Sequence, residues 1–121
     1  MLNNVRIFPF FNSVKEKVSK IGASDSAFNG GYSVMTLEVV GDGTLKCIAE
    51  GAVNIVDGNN IALKDELLEW NSVLMFDSAF SKIESITTKG IYYVVIKGMS
   101  RVRLNISAIS GEFQIVGSLG E

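Results

Sequence analysis

The stretch over residues 90–117, GIYYVVIKGMSRVRLNISAISGEFQIVG, constrains the fold more than any other part of the chain. Residues 101–106 alternate between polar and apolar types, which is the period of a strand with one wet and one dry face. Residues 91–96 are apolar at both parities, which predicts a strand covered on both faces. A turn at Ser110-Gly111 would separate the last two runs. The stretch therefore predicts an antiparallel meander.

A second strand pattern covers residues 32–40, YSVMTLEVV. Gly41-Asp42-Gly43 follows it and predicts a hairpin turn, because glycine accepts positive φ. The return strand would then cover residues 45–53. Pro9 interrupts the apolar run over residues 5–11, so this run predicts an edge strand or a strand entering the sheet.

Two segments leave the period ambiguous. Residues 12–21 fit an amphipathic helix, a polar loop or the end of a strand equally well. In residues 64–80 the run LKDELLEW predicts one or two helical turns, and NSVLMF predicts a buried or interface strand. Counting the clear and the ambiguous runs gives seven or eight short strands.

The length of 121 residues is that of one domain, which we place over residues 1–121. Short strands at regular spacing predict an all-β fold, an antiparallel β-sandwich of the C2-like or jelly-roll-like kind. The hydrophobic content of 47% and the mean hydropathy of +0.29 are high for one soluble domain, which favours apolar surface covered by a partner.

The composition excludes several classes of function. A net charge of −2 argues against a nucleic-acid partner. The chain has no histidine, which removes the commonest general base and metal ligand. Cys47, the single cysteine, cannot form an internal disulfide and reads as a small core hydrophobe in a reducing compartment. We therefore expect no enzymatic activity and no cofactor.

The aspartates give no clustered set of carboxylates of the kind that calcium requires. Asp42 and Asp57 each stand beside a glycine, which is the ordinary pairing of a hairpin turn. Calcium binding by these turns stays an open alternative. The N-terminal residues lack the pattern of a signal peptide, and no apolar run reaches the ~20 residues of a membrane span.

One candidate interaction cluster is aromatic. Its members combine the residue types that are enriched at the centres of protein interfaces and break the strand period. Core packing explains the same residues if they point inward. The candidate oligomer interface consists of Trp70, Met75, Phe76 and Phe80.

A second candidate cluster is cationic and belongs to the final meander. Lys97, Arg101 and Arg103 could form a patch that binds an anion or a lipid head group. A solvated strand face explains them equally simply.

Several landmarks resemble a family of prophage proteins. They are GYSVMTLEVVG over residues 31–41, Ile96-Lys97-Gly98, the turn SAISG over residues 107–111, and Val116-Gly117. In their order along the chain they are similar to the prophage lysis-cassette proteins of the XepA/YomS type, and to the single-domain, YomS-like members in particular. The resemblance implies a C2-like β-sandwich that assembles into cyclic homo-oligomers, with a pentamer as the expected size. It brings no catalytic residues.

This resemblance gives the function hypothesis. The chain would be a phage- or prophage-encoded, non-enzymatic accessory protein that forms a ring and is associated with the host-lysis gene cassette. Its partners would be further copies of itself and the host membrane or cell wall, and its location the cytoplasm of the bacterial host. The alternatives are a head or tail decoration protein in the virion and a lipid- or carbohydrate-binding β-sandwich module.

Overall fold

A computed structural model describes residues 6–11 and 17–120, and this part of the chain is almost entirely β-structure. One 3₁₀ turn, Asp65–Leu67, is the single helical element among these residues. The nine strands are β1 (Arg6–Pro9), β2 (Gly22–Ala23), β3 (Ala27–Phe28), β4 (Val34–Ala52), β5 (Asn71–Ser72), β6 (Met75–Phe76), β7 (Lys82–Ile83), β8 (Gly90–Val95) and β9 (Arg101–Leu119). The predicted all-β antiparallel class is confirmed. The strands number nine rather than seven or eight, and β4 and β9 are long.

The sheet is organised around β4 and β9, which have 19 residues each and pair from Met35↔Leu119 to Ala52↔Arg101. The other strands flank this pair, in the order β1-β9-β4-β8-β6-β7. β8 pairs with the first half of β4, and β1 pairs with the second half of β9. At the other end β2 and β3 pair with β9, and β5 pairs with β4. Every pairing is antiparallel.

The predicted hairpin turn at Gly41-Asp42-Gly43 is wrong, and so is the turn at Ser110-Gly111. β4 and β9 run straight through these positions, and Gly43 lies opposite Gly111. A Cβ on Gly43 would overlap the carbonyl oxygen of Ser110, and a Cβ on Gly111 would overlap that of Asp42. The glycines therefore allow two backbones to approach closely inside the sheet, a role whose sequence signature is the same as that of a turn.

Both long strands bend sharply near these glycines. Val34, at the start of β4, pairs with Val95, while Ala52, at its end, accepts a hydrogen bond of 2.8 Å from the amide of Ser100. A straight strand of 19 residues spans about 60 Å. The five-residue link from Val95 to Ser100 reaches at most about 18 Å. The two ends of β4 are therefore brought together by the bend.

The bend turns one face of both halves toward a common core. A β-bulge supports it, because the register shifts between Lys46 and Cys47 and leaves Ser107 of β9 as the extra residue. Because of this extra residue, the buried side chains of β9 are at even-numbered positions before the bulge and at odd-numbered positions after it. The core residues of β4 and β9 are Met35, Leu37, Val39, Leu45, Cys47, Ala49, Val102, Leu104, Ile106, Phe113, Ile115 and Leu119.

The strand β8 is covered on one face only, which corrects the prediction from its doubly apolar sequence. Tyr92, Val94 and Ile96 are buried in the core. The opposite face carries Ile91, which is 36% exposed, and the half-buried Tyr93. The apolar residues of this second face are consequently left at the surface.

Candidate functional site

The solvent side of the first half of β4 and of the strands beside it is unusually apolar. Register places Tyr93 opposite Thr36 on one side and opposite Phe76 on the other, so these side chains share one face of the sheet. We call this surface the outer face. Its large apolar members are Val34, Val40, Phe76, Phe80, Ile91 and Tyr93.

Phe80 reaches the outer face from a tight turn between β6 and β7. The Asp77 carboxylate accepts hydrogen bonds from the amides of Ala79 at 2.9 Å and Ser81 at 3.0 Å. The amide of Phe80 donates to the carbonyl of Asp77 at 3.0 Å. This turn gives Phe80 a φ of 61° and leaves it 73% exposed. Its ring stacks on Tyr93 with the centroids 5.2 Å apart.

The same turn occurs a second time with a different residue at the strained position. The Asp57 carboxylate accepts from the amides of Asn59 and Ile61, and Asn60 has a φ of 63°. Asparagine tolerates this left-handed conformation, whereas for a bulky side chain it costs on the order of 1–3 kcal/mol. The chain therefore holds an exposed aromatic ring where the backbone favours asparagine or glycine, a kind of strain that clusters at functional surfaces.

A groove of about 400 Å³ lies beside Ile91 on the outer face. Val40, Gly90 and Ile91 form its apolar lining, and Glu38 and Lys89 line it as well. Among the described residues the two ion pairs are Lys82–Glu84 and Arg103–Glu50, so neither of the two groove charges has an ionic partner there. The groove combines apolar surface with one unpaired carboxylate and one unpaired ammonium.

The structure separates the four residues of the predicted oligomer interface. Phe76 and Phe80 lie on the outer face, where they are accessible. Met75 alternates with Phe76 and points inward, where it is 2% exposed in the core. Trp70 belongs to a different surface, on the other half of the sheet. The interface prediction therefore has two members that are placed to contact another molecule.

The other half of the sheet has a polar outer surface that the chain itself covers. The Arg103 Nε donates to Glu50 Oε1 at 2.9 Å, and the side chains are 18% and 13% exposed. The Trp70 ring covers the guanidinium at 4.2 Å, in a cation–π contact. The indole Nε1 then donates to the carbonyl of Asp65 at 2.9 Å. This chain of contacts fastens the 3₁₀ turn to the sheet.

A second link completes this polar network. Arg101 Nη1 donates to Ser26 Oγ at 3.1 Å, and Ser26 Oγ donates to Asp65 Oδ1 at 2.9 Å. Both arginines of the predicted cationic patch are thus engaged inside the chain, while Lys97 is exposed in the turn before β9. The structure does not gather the three cations into one site.

The cysteine and the turn aspartates were the other residues considered for catalysis or metal binding, and the structure gives each of them a place in the fold. Burial raises the pKa of Cys47 from 9.0 to about 12, so the thiol stays protonated and is a poor nucleophile. The Asp57 carboxylate is used by its turn, as the hairpin interpretation predicted. Asp42 lies in the bend of β4. Among the described residues no three of the types His, Cys, Asp and Glu are grouped to hold a metal ion.

Comparison with solved structures identifies the architecture. The crystal structure of the SPBc2 prophage-derived protein YomS matches with a TM-score of 0.73 at 15% identity, covering 98% of this chain and 94% of YomS. The chain has the fold of YomS. The PBSX exported protein XepA matches with a TM-score of 0.61 at 16% identity, and the chain spans 39% of its length. The resemblance to proteins of the XepA/YomS type is thereby confirmed at the level of fold.

Other comparisons give no match. No family model matches the chain, and no curated protein does. A search of the described residues finds no helix that is long and apolar enough to cross a membrane.

Sequence reasoning missed most of the outer face of this YomS-like chain. Glu38 and Lys89 look like ordinary exposed polar residues, and the groove that both line depends on the pairing of β4 with β8. Tyr93 and Ile91 belong to a strand that alternation alone places between two covering layers. The usable signal was the second apolar parity of β8, which marks a face that something must cover.

Proposed function

We propose that the chain is a phage- or prophage-encoded accessory protein that works without catalysis as a cyclic homo-oligomer associated with the host-lysis cassette. The likeness to YomS over nearly the whole of both chains carries this proposal. The likeness to part of XepA supports the same origin. We also infer that the bent sheet amounts to a C2-like β-sandwich, because both of its halves pack against one core.

The outer face supports self-association of the chain. Aromatic and aliphatic side chains such as Phe80 and Ile91 stay exposed there, whereas on the other half of the sheet the aromatic ring of Trp70 is packed on Arg103. Monomeric proteins rarely leave a contiguous apolar patch of this kind open. The resemblance gives a ring of five copies as the expected assembly, and the outer face offers apolar surface for contacts between copies within or between such rings.

Light scattering on the purified protein tests the assembly. We expect a mass that is a small multiple of 13.1 kDa at micromolar concentration. A protein that stays monomeric throughout this range would remove the oligomer from the proposal.

Deletion of the gene from a lysogen tests the role. We expect a change in the timing or completeness of lysis after induction, with unchanged virion protein content. Mass spectrometry of purified particles separates the decoration alternative, because a decoration protein is present in stoichiometric amounts. Normal lysis of the deletion strain would contradict the proposal.

Fractionation of induced cells tests the compartment. XepA is described as an exported protein, so the cytoplasm and the exported fraction are both assayed. A membrane or wall partner predicts that part of the protein sediments with the envelope.

A further inference from the structure

We propose that Phe80 of one copy packs against the groove beside Ile91 of a second copy, and that Glu38 and Lys89 pair across this contact. The inference deepens the homo-oligomer part of the proposed function and rests on it. It names the contact surface, the residues that form it and its symmetry.

The projecting element is the Phe80 turn. The second turn of this kind, formed by Asp57 to Ile61, is called the twin turn. It holds Asn60 at the position of Phe80, so the aromatic ring is not required by the turn itself. The ring is held by its stacking on Tyr93 and projects into solvent. Rigid, exposed aromatic side chains are the type of residue that dominates the binding energy of interfaces.

The receiving element is the groove lined by Val40, Gly90 and Ile91. The groove has a volume of about 400 Å³ and is widely open to solvent, so an aromatic ring of another copy can lie against it. The apolar lining matches the chemistry of the ring.

The projecting ring of Phe80, which we call the knob, and the groove lie on the same outer face. Phe80 stacks on Tyr93, and Tyr93 and Ile91 are alternate residues of one strand. When the two complementary elements share one face, two copies related by a two-fold axis engage both at once. Such a contact makes a dimer on its own. Where a ring forms through other surfaces, it joins two rings face to face.

The two groove charges argue for a second copy over any other occupant. Glu38 and Lys89 are exposed and have opposite signs, and no ion pair engages either within the described residues. A two-fold contact places the carboxylate of one copy against the ammonium of the other, twice. A lipid surface or a uniformly charged partner would satisfy one of these charges and repel the other.

Charge reversal with sedimentation velocity is the sharpest test. We expect Glu38→Lys and Lys89→Glu each to weaken association about tenfold. The double variant Glu38→Lys/Lys89→Glu should recover to within about threefold of the native protein, because the pair is restored with reversed signs. Neither side chain makes an ion pair with another described residue, so the monomer should stay folded.

Phe80→Asn tests the knob. It gives this turn the residue type that the twin turn holds at Asn60, and we expect association to weaken at least tenfold. Ile61→Asn is the matched control, since Ile61 is a 61% exposed apolar residue of the twin turn and is not one of the residues that define the outer face. It should leave association unchanged.

The outcomes separate this inference from the proposed function. A native protein that is monomeric overturns both. A native oligomer that tolerates Phe80→Asn and both charge reversals overturns the inference alone. Loss of binding to vesicles of phosphatidylethanolamine and phosphatidylglycerol in Phe80→Asn, with unchanged oligomer mass, would make a membrane the occupant and also overturn it.

Discussion

The two halves of the bent β4–β9 pair bury their inner faces in the same core, but they differ in how far their outer faces are covered by the rest of the chain. Near Met35–Val39 and near Cys47–Gly51 alternate residues are buried in the same core. Outside, part of the second half is covered by the segment of the 3₁₀ turn through Trp70 and Arg103, while the first half leaves Phe80 exposed. The fold thus has the means to cover such a surface with its own chain. Leaving the first half open points to a use for it.

The bend that separates the halves is the place where a substitution should do most damage. We expect Gly43→Ala to lower the free energy of unfolding by about 3 kcal/mol or more, because its Cβ overlaps the backbone of Ser110. Denaturant unfolding followed by circular dichroism measures this. Gly58→Ala is the control, since nothing lies within 4 Å of a Cβ at that position. Equal stability of the two variants would show that the bend does not depend on close approach.

The covered half should be sensitive to loss of its polar network. Arg103→Met removes the partner of the mostly buried Glu50 and the cation over Trp70, so we expect a loss of about 2 kcal/mol in stability.

Two companions of Arg103→Met, measured by thermal and denaturant unfolding, sharpen the result. Arg103→Met combined with Glu50→Gln should recover part of the loss, because no unpaired charge remains. Lys82→Met removes the exposed pair with Glu84 and should cost less than about 0.5 kcal/mol. A larger effect of Lys82→Met than of Arg103→Met would contradict the contrast between the halves.

The open half should be insensitive to loss of its exposed ring. Phe80→Asn removes both the backbone strain and the stacking on Tyr93, which nearly offset each other, so the stability of the monomer should change by less than about 1 kcal/mol. Asn60→Phe introduces the strain without the stacking partner and should cost about 1 kcal/mol. Chemical unfolding of both variants, below the concentration of association, compares them. A large loss in Phe80→Asn would make Phe80 a structural residue.

Ionisation of Cys47, in the covered half, should leave the free energy of unfolding unchanged at neutral pH and lower it measurably in alkaline solution. Its pKa is raised by burial from 9.0 to about 12, so the folded state holds the proton more tightly than the unfolded state does. This contribution is complete below pH 9 and is lost as the pH rises toward 12. Unfolding of the native protein and of Cys47→Ala across this range gives the difference. Parallel curves would show that the thiol does not titrate with unfolding.

The sequence predicted the strand class well and the connections poorly. Alternation identified the inner residues of β4 and the apolar character of β8, because period-2 patterns are local. Gly41 and Gly43 were misread, because a glycine that turns the chain and a glycine that lets two backbones approach have the same sequence signature. The distinction depends on Ser110 and Gly111, which lie some seventy residues away along the chain.

The site was predictable only in part, for the same reason. Phe76 and Phe80 could be selected as interface residues from their type, but Met75 beside them faces the core because strand parity decides direction. The pairing of Arg103 with Glu50 and Trp70 unites three distant segments, so no local pattern contains it. The strain at Phe80 is visible only when its turn is compared with that at Asn60.

The position of β9 in the sheet also sets when folding can occur during synthesis. This strand pairs with β1, β2, β3 and β4, although it is made after all of them. Until residues 101–119 have left the ribosome, those strands lack the neighbour that aligns them, and their pairings are among the most distant in the chain. The sheet therefore assembles late and slowly. A nascent chain that stops before Arg101 would expose its strands to aggregation and proteolysis.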